Sequence, residues 1–273
     1  MVRLKTHGFY DKIIDHAYVE GEDFIDCYDD SSVQECDTLV DKSIALMIEP
    51  RSIMPRGYEF LENGGWKNFK YIFTHDSELL NFPNAKPIIV GAVWERSDVP
   101  KTKNVSMVCS FKEMCSLHKR RKELAEYLHK SSMADVYGDW QYKEQHGWVE
   151  PSEYLRDYRF SVVIENYIDD YYFTEKILNC FANKVVPIYV GARKIDTYFN
   201  SKGILHFDSV DAVEKMFREI EHPTKKCFAF KGWEALYEEL KPYVEENYRY
   251  ALPYSTFENT LFYYYGDILD DLC

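Results

Sequence analysis

The chain has 273 residues, of which 46% are hydrophobic and 16% aromatic, and it carries a formal net charge of −13 at pH 7. This apolar content is ample for a packed core, and the length allows one large domain or two of about 100 to 150 residues each. The negative charge argues against nucleic acid as a general partner, because neutralising a phosphate backbone requires a basic surface. A small phosphorylated ligand needs only a local basic pocket.

The N-terminal residues, MVRLKTHGFYDKII, contain no apolar signal-peptide segment. No window of the sequence holds the about 18 apolar residues that a membrane-spanning helix needs. The seven cysteines form no C-x-x-C pair, and their odd number leaves at least one thiol outside any disulfide, which favours a reducing compartment. We therefore expect a soluble cytoplasmic protein without an integral membrane segment.

In the first third of the chain, the acidic run Asp29-Asp30-Ser31-Ser32 is predicted to be a solvated loop. Residues 43–48 form an apolar run that predicts a buried strand, and Glu49 ends it directly before Pro50. A carboxylate at such a strand end is chemically suited to remove a proton from a hydroxyl group. An acidic residue that merely begins a turn before a proline would show the same pattern, so both explanations stay open.

The middle of the chain begins with the polar run ERSDVPKTKN at residues 95–104, which predicts a linker. Residues 106–110 follow as a predicted strand. An amphipathic helix then opens at His118, and its apolar residues recur at helical spacing as far as Leu128. The basic residues at its start, Arg121 among them, are suited either to a solvated surface or to an anion.

Residues 158–191 hold two apolar segments, at 159–164 and 185–190, separated by an acidic and aromatic loop and a short helix. This order predicts a βαβ unit with parallel strands, and Pro187 fits a strand end or edge. In open parallel sheets, ligands bind at the carboxyl ends of strands. Glu165, Asn166 and the loop as far as Tyr172 are therefore predicted to lie where a site is built.

The helix after this loop has Thr174 as its predicted N-cap, with Glu175 and Lys176 in the first turn. A cation there opposes the helix dipole, which costs about 0.3–1 kcal/mol unless an anion compensates it. A bound phosphate is one such anion. The alternative is that Lys176 is an ordinary solvated lysine.

Beyond Gly191 the sequence predicts a strand at residues 204–207 and helices at about 211–220, 233–248 and 257–272. The run Asp208-Ser209-Val210-Asp211 is predicted to cap the first of these helices. The eight histidines are not spaced as metal ligands, and no clean Asp-x-Asp motif ends a strand, so we expect no obligatory metal. No G-x-G-x-x-G or Walker motif is present, which disfavours a dehydrogenase or a kinase.

Three motifs together resemble the donor-binding region of the α1,3/4-fucosyltransferases, which form glycosyltransferase family ten. They are IENY at residues 164–167, YYFTEK at 171–176 and VPIYVG at 186–191. Tyr167 stands where the family has a small hydroxyl residue, and Phe173 stands where it has valine. The element DVYG at residues 135–138, and the strand and acidic turn at residues 69–80, resemble family elements less specifically. The resemblance suggests a soluble member of bacterial or viral type, in a bacterium or a virus-infected host cell.

The resemblance implies a role for each matching residue. Arg121 and Lys176 would hold the diphosphate of a nucleotide sugar, Glu175 the ribose hydroxyl groups, and Asn166 and Tyr172 the rest of the donor. Glu165 and Thr174 belong to the same donor-binding motif. Residues 43–52 are similar to a family strand followed by Glu-Ser-Pro, which implies that Glu49 deprotonates the acceptor.

The implied fold is α/β and GT-B-like, with two Rossmann-like domains and a cleft between them. We predict an N-terminal acceptor-side domain at 1–104, a nucleotide-sugar-binding domain at 105–250, and a C-terminal helix at 251–273 that packs back on the first domain. The implied activity is inverting transfer of a sugar, with GDP-L-fucose as the first expected donor, to a glycan hydroxyl. Two alternatives remain: a same-fold transferase with another donor such as a UDP-pentose, and a non-catalytic module that binds glycans or nucleotide sugars.

Overall fold

The computed structural model describes residues 3–8, 24–223 and 230–270. The chain divides into two compact units, each containing one five-stranded, all-parallel sheet. The first unit comprises Met1–Ala92, Asp169–Tyr172 and Tyr254–Cys273, and the second comprises Val93–Ile168 and Phe173–Pro253. Parallel sheets covered by helices confirm the predicted α/β class, whereas the predicted domain boundaries stay predictions.

The first unit arranges its strands in sequence order, β1 to β5. The strands and the helix that follows the third strand are β1 Arg3–His7, β2 Phe24–Asp29, β3 Ser43–Met47, α1 Pro55–Glu62, β4 Tyr71–Thr74 and β5 Ala85–Pro87. The predicted strand at residues 43–48 is confirmed, and every residue of β3 is buried, as expected for a parallel strand covered on both faces. The apolar run at residues 87–91 also predicts a strand, but β5 ends at Pro87, where a residue without an N–H group suits an edge strand.

Helices supply apolar side chains to two separate clusters around the first sheet. In one cluster, Leu261 and Leu269 of α7, Phe257–Asp270, pack with Leu4 and Ile25 from the sheet. In the other cluster, Tyr58 and Leu61 of α1 pack with a second set of side chains from the strands. Burying these side chains is what holds the first unit together, at roughly 1.5–3 kcal/mol for each large apolar side chain.

The second unit has the strand order β10-β9-β8-β6-β7. Its elements in chain order are β6 Lys103–Val108, α2 Ser116–Lys130, β7 Asp135–Tyr137, α3 Pro151–Leu155, β8 Tyr158–Ile164, α4 Glu175–Ala182, β9 Val186–Val190, β10 Leu205–His206, α5 Val210–Glu221 and α6 Trp233–Ala251. The predicted parallel pair β8 and β9 is confirmed from Phe160 opposite Val186 to Ile164 opposite Val190. Pro187 is the second residue of β9, where it pairs with Ser161 of β8 and lies one residue before the part that pairs with β10.

The order of the second sheet reverses between β6 and β8. From β6 the chain continues to its outer neighbour β7, whereas from β8 it continues in the other direction to β9 and β10. Such a reversal opens a crevice at the carboxyl ends of the two central strands, where open α/β sheets bind ligands. The residues after Val108 and Ile164 therefore have the position of a binding site within this unit.

Ser209 caps α5, because its Oγ accepts a hydrogen bond from the N–H of Ala212 at 3.2 Å, as the sequence predicts. Gly138, in the DVYG element, has φ of +93° and approaches the carbonyl oxygen of Cys109 so closely that a Cβ would lie 2.4 Å from it. The five described cysteines are free thiols. None of the helices in the described ranges has the length and hydropathy of a membrane span.

Candidate functional site

Arg121 lies at the topological switch point of the second sheet. It is a buried residue of α2, and its Nη1 donates to the carbonyl oxygen of Ile164, the last residue of β8, at 3.1 Å. The same nitrogen lies 3.4 Å from Oδ1 of Asn166. Its Nε is buried without a hydrogen-bond partner. A permanently charged guanidinium with an unsatisfied donor is costly to bury, so this position favours a bound anion.

The start of α4 is built on Glu165. This carboxylate is fully buried and accepts hydrogen bonds from Thr174, at 3.0 Å from its main-chain N–H and at 2.8 Å from its hydroxyl. Burial raises the pKa of Glu165, and the nearby Lys176 opposes that shift. Thr174 is the N-cap, since its Oγ1 accepts from the N–H of Lys176 at 3.4 Å, as predicted. Glu165 thus organises the helix start from inside the protein.

The positive charge of Lys176 is compensated by two carboxylates, which the sequence pattern did not identify as its partners. Its Nζ lies 3.4 Å from Oε2 of Glu165 and 3.3 Å from Oε1 of Glu175, and donates to Oγ1 of Thr174 at 3.0 Å. The Lys176 side chain is still about a quarter exposed. The chain therefore neutralises part of the unfavourable charge at the helix start, and the exposed side of Lys176 can meet a ligand.

His118 is a site residue that sequence analysis missed. Its Nε2 lies 2.9 Å from Oδ1 of Asn166, although 48 positions separate the two residues in the chain. Burial, together with the positive charges of Arg121 and Lys176, lowers the pKa of His118 to about 4. Both predicted diphosphate-binding cations therefore act on the same buried imidazole, which places them in one electrostatic neighbourhood.

Tyr172 and Phe173, at the end of the predicted loop, are buried. Tyr172 belongs to the first unit, where its ring lies 4.5 Å from the ring of His75. In the second unit, Phe173 packs against Tyr198 and Phe199. The departure from the family pattern at Phe173 is thus a core packing position.

The loop segment that belongs to the first unit is anchored by an acidic residue. Asp169 is buried and accepts hydrogen bonds from the main-chain N–H of Ser77 at 2.9 Å and from its hydroxyl at 2.7 Å. The chain therefore leaves the second unit after Ile168 and returns to it at Phe173. Of the predicted site residues, only Glu49 and Tyr172 lie in the first unit.

Glu49 follows β3 in the first unit, and its main chain is held on both sides. Its N–H donates to a carboxylate oxygen of Asp30, and its carbonyl oxygen accepts from the hydroxyl of Tyr58 at 2.7 Å. The same Asp30 oxygen accepts from the N–H of Ile48 at 3.1 Å. The peptide that carries the Glu49 side chain therefore has a defined position at the end of the strand.

The prediction that residues 29–32 form a solvated loop was wrong. Asp29 and Asp30 are 4% and 2% exposed. Both carboxylates accept hydrogen bonds from nearby groups, from Ser31 in the case of Asp29 and from the strand end after β3 in the case of Asp30. The sequence alone suggested solvent because four polar residues in a row are typical of a turn, and it did not reveal that another strand end would lie over them.

The burial of Asp30 leads to a testable pH dependence of stability. Burial raises its pKa to about 7, against the opposing hydrogen bond from Glu49 and with reinforcement from the charge of Asp29. Because the pKa of an unfolded aspartate is about 3.9, the folded state holds this proton more tightly, and its stabilising effect is lost as pH rises from about 4 through 7. We expect the free energy of unfolding of Asp30→Asn, relative to that of the wild type, to rise by about 2–3 kcal/mol from pH 5 to pH 8. Urea unfolding of both proteins at the two pH values measures this. The same change in the free energy of unfolding in both proteins would contradict it.

Within the described part of the chain, no three histidine, cysteine or acidic side chains are grouped closely enough to hold a metal ion. The charged groups around the switch point of the second sheet are the side chains of Arg121, Glu165, Glu175 and Lys176. They combine a buried cation with an unsatisfied donor and a second, partly exposed cation at a helix N-terminus. This arrangement is suited to an oxyanion such as a phosphate.

Comparison with known proteins identifies the family. The sequence profile of glycosyltransferase family 10 (fucosyltransferase), C-terminal part, matches residues 100–256, more than half of the chain. The chain belongs to glycosyltransferase family 10. This confirms the predicted family. The matched range contains every predicted donor-binding residue, whereas Glu49 lies outside the matched range.

Individual relatives of this family-10 chain agree with that assignment. A fucosyltransferase-like protein of Arabidopsis thaliana is 27% identical over 136 residues, which are 47% of this chain and 26% of that protein. The chain thus spans only about a quarter of that curated relative.

Solved structures show the same fold. A crystal structure of an α1,3-fucosyltransferase with GDP-fucose superposes with a TM-score of 0.51 at 15% identity, over 92% of this chain and 79% of that one. The same comparison with an α1,3-fucosyltransferase bound to GDP gives 0.52. The crystal structure of TarM gives 0.56 at 9% identity, over 90% of this chain and 55% of that one. These likenesses confirm the GT-B-like fold class of this family-10 chain.

Proposed function

We propose that this chain is an inverting glycosyltransferase that moves L-fucose from GDP-L-fucose to a hydroxyl group of a glycan. Membership of family 10 supports the reaction class, and the fold shared with a fucosyltransferase bound to GDP-fucose supports the donor. The observation that carries the proposal is the buried guanidinium of Arg121, whose Nε has no partner, at the carboxyl end of β8. A diphosphate would satisfy this donor and its charge together.

The donor is held by side chains of the second unit with separate tasks. Arg121 and the exposed side of Lys176 meet the two phosphates, and the N-terminus of α4 adds free main-chain N–H groups. Glu175, which is partly exposed, accepts hydrogen bonds from the ribose hydroxyl groups. Asn166 contacts the nucleotide sugar. Glu165 and Thr174 hold the start of α4 in place, because the Glu165 carboxylate is fully buried and bonded to Thr174.

The chemistry requires a base and a stabilised leaving group. Glu49 takes the proton from the acceptor hydroxyl, and the oxygen attacks the anomeric carbon from the face opposite the phosphate. The bond between that carbon and the phosphate oxygen breaks, and GDP leaves with the bonding electron pair. Arg121 and Lys176 stabilise the negative charge that develops on the leaving diphosphate. Attack from the opposite face inverts the anomeric configuration.

The role of Tyr172 changes with its observed position. It was predicted to contact the donor, but its side chain is 1% exposed and packs on His75 in the first unit. We propose that it anchors the loop between Ile168 and Phe173 rather than binding the sugar directly. Asp169, bonded to Ser77, anchors the other end of the same segment.

A second donor class, a UDP-pentose, is kept as the alternative because Tyr167 differs from the family pattern next to Asn166. Thermal shift with nucleotides separates the two. A ligand at 100 times its dissociation constant adds about 2.7 kcal/mol of stability, which raises the melting temperature by roughly 5–10 °C for a chain of this size. We expect this rise with GDP and GDP-fucose and a much smaller one with UDP and UDP-sugars. A larger rise in melting temperature with UDP would favour a UDP-pentose as the donor over GDP-fucose.

The remaining alternative, a module that binds without transfer, is separated by a turnover assay. We expect an added glycan acceptor to stimulate GDP release from GDP-fucose. Glu49→Gln should lose nearly all of this acceptor-stimulated release. Tight GDP binding together with no transfer to any acceptor in a glycan panel would favour the binding module.

A further inference from the structure

We propose that His118 is a positioning residue, which fixes the orientation of the Asn166 side-chain amide and thereby the hydrogen-bond donors offered to the nucleotide sugar. The inference rests on the proposed function, because it assigns Asn166 to the donor site. His118 is 3% exposed and lies on α2, three residues before Arg121. His118 lies in none of the family motifs quoted above, so its role is inferred from its contacts.

The contacts of His118 determine its tautomer. Its Nδ1 accepts a hydrogen bond from the main-chain N–H of Met114 at 3.2 Å, so this nitrogen carries no proton. The proton of the neutral ring is therefore on Nε2, which donates to Oδ1 of Asn166 at 2.9 Å. The main-chain N–H of Met114 thus determines which His118 nitrogen carries the proton, and therefore the direction of the hydrogen bond to Asn166.

The orientation of the Asn166 amide follows from that direction. Its oxygen accepts from His118 and lies 3.4 Å from the donor Nη1 of Arg121. If the amide turned by 180°, its NH2 group would face two donors, and the hydrogen bonds would be lost. The NH2 group is therefore directed away from His118 and Arg121, and we assign it as a donor to an oxygen of the nucleotide sugar.

The main chain of Asn166 is attached to the same helix start. The thiol of Cys115, directly before α2, lies 3.3 Å from the carbonyl oxygen of Asn166 as a weak donor. Arg121 also donates to the carbonyl oxygen of Ile164, two residues earlier. Three residues in or directly before the first part of α2 therefore hold the chain at the end of β8, and His118 makes the shorter of the two contacts that select the amide orientation.

The electrostatic surroundings keep His118 in the neutral form that this arrangement needs. Burial lowers its pKa to about 4, and the positive charges of Arg121, Lys176 and Lys112 act in the same direction. A protonated ring would have two donors and would lose its bond from Met114. The imidazole therefore orients Asn166 without adding a third cation to the site.

The test compares two substitutions at His118 with a control on the same helix. His118→Gln keeps an N–H donor near the position of Nε2, whereas His118→Leu removes it at similar volume. His129→Leu is the control, because His129 is on the same helix and its ring contacts Trp140 instead of Asn166. We expect His118→Leu to weaken GDP-fucose binding in calorimetry and raise KM at least tenfold with a smaller change in kcat. His118→Gln should stay within about threefold of the wild type, and His129→Leu should equal it.

A second measurement does not depend on any ligand. The side-chain NH2 group of Asn166 gives a pair of resonances in ¹⁵N-labelled protein, which can be assigned with Asn166→Asp. We expect His118→Leu to shift this pair and His118→Gln to restore it.

Two results would overturn the inference: an unchanged Asn166 pair in His118→Leu, or equal loss of donor binding in His118→Leu and His118→Gln. Failure of the wild type to bind any nucleotide sugar would instead reject the proposed function, while the resonances would still report on the link between His118 and Asn166.

Discussion

Arg121→Met should reduce the affinity for GDP and GDP-fucose about 10²- to 10⁴-fold, because it removes about two charge-assisted hydrogen bonds worth about 1.5–3 kcal/mol each. Methionine replaces the apolar stem of the side chain but is shorter and lacks the buried guanidinium and its unpartnered Nε. Arg121→Lys should recover only part of the affinity, since an ammonium group cannot form a planar pair of bonds with phosphate. Calorimetric titration with GDP measures both variants.

The neighbouring residue Arg120 provides the matched control. Its side chain is 38% exposed, and its guanidinium is paired with Glu123, Asp211 and Glu214 on the surface. Exposed ion pairs contribute about 0–1 kcal/mol, so Arg120→Met should leave stability nearly unchanged, and it should leave GDP affinity unchanged as well. Equal losses of affinity in the two variants would mean that general positive charge, rather than the buried site, attracts the nucleotide, and the assignment of Arg121 would fail.

Glu49→Gln should lower kcat about 10²- to 10⁴-fold, the usual contribution of a general base, without altering GDP affinity. Glutamine preserves size and leaves in place the main-chain bonds to Asp30 and Tyr58, so the strand end keeps its position. GDP binding, which we assign to the second unit, does not involve the Glu49 carboxylate. Initial rates at saturating GDP-fucose, together with calorimetry, separate the two effects.

Glu35→Gln serves as the control for this substitution, because Glu35 is an exposed acidic residue of the first unit. It should retain wild-type kcat. Full activity in Glu49→Gln would exclude Glu49 as the base. Asp30 would then be the next residue to test, since it is buried beside the Glu49 main chain and burial raises its pKa to about 7.

The sequence by itself determined the parallel strands β8 and β9, the helix α4 between them, its N-cap Thr174 and the family of the chain. These features are local: the apolar period, the capping residue and the loop lie within residues 158–191. In such a segment the hydrogen bonds of the helix and its cap join near neighbours in the chain, so the pattern of residue types contains most of the information.

Only the tertiary structure decided which distant residues meet. It brought His118 to Asn166 and Arg121 to Ile164, placed Asp30 beneath the end of β3, and assigned Tyr172 to the first unit. It also made Glu165 a buried support of Lys176 instead of a residue open to the ligand. Burial and partnership depend on how strands are ordered in a sheet, and a polar residue has the same letter in the sequence whether another strand end covers it or water does.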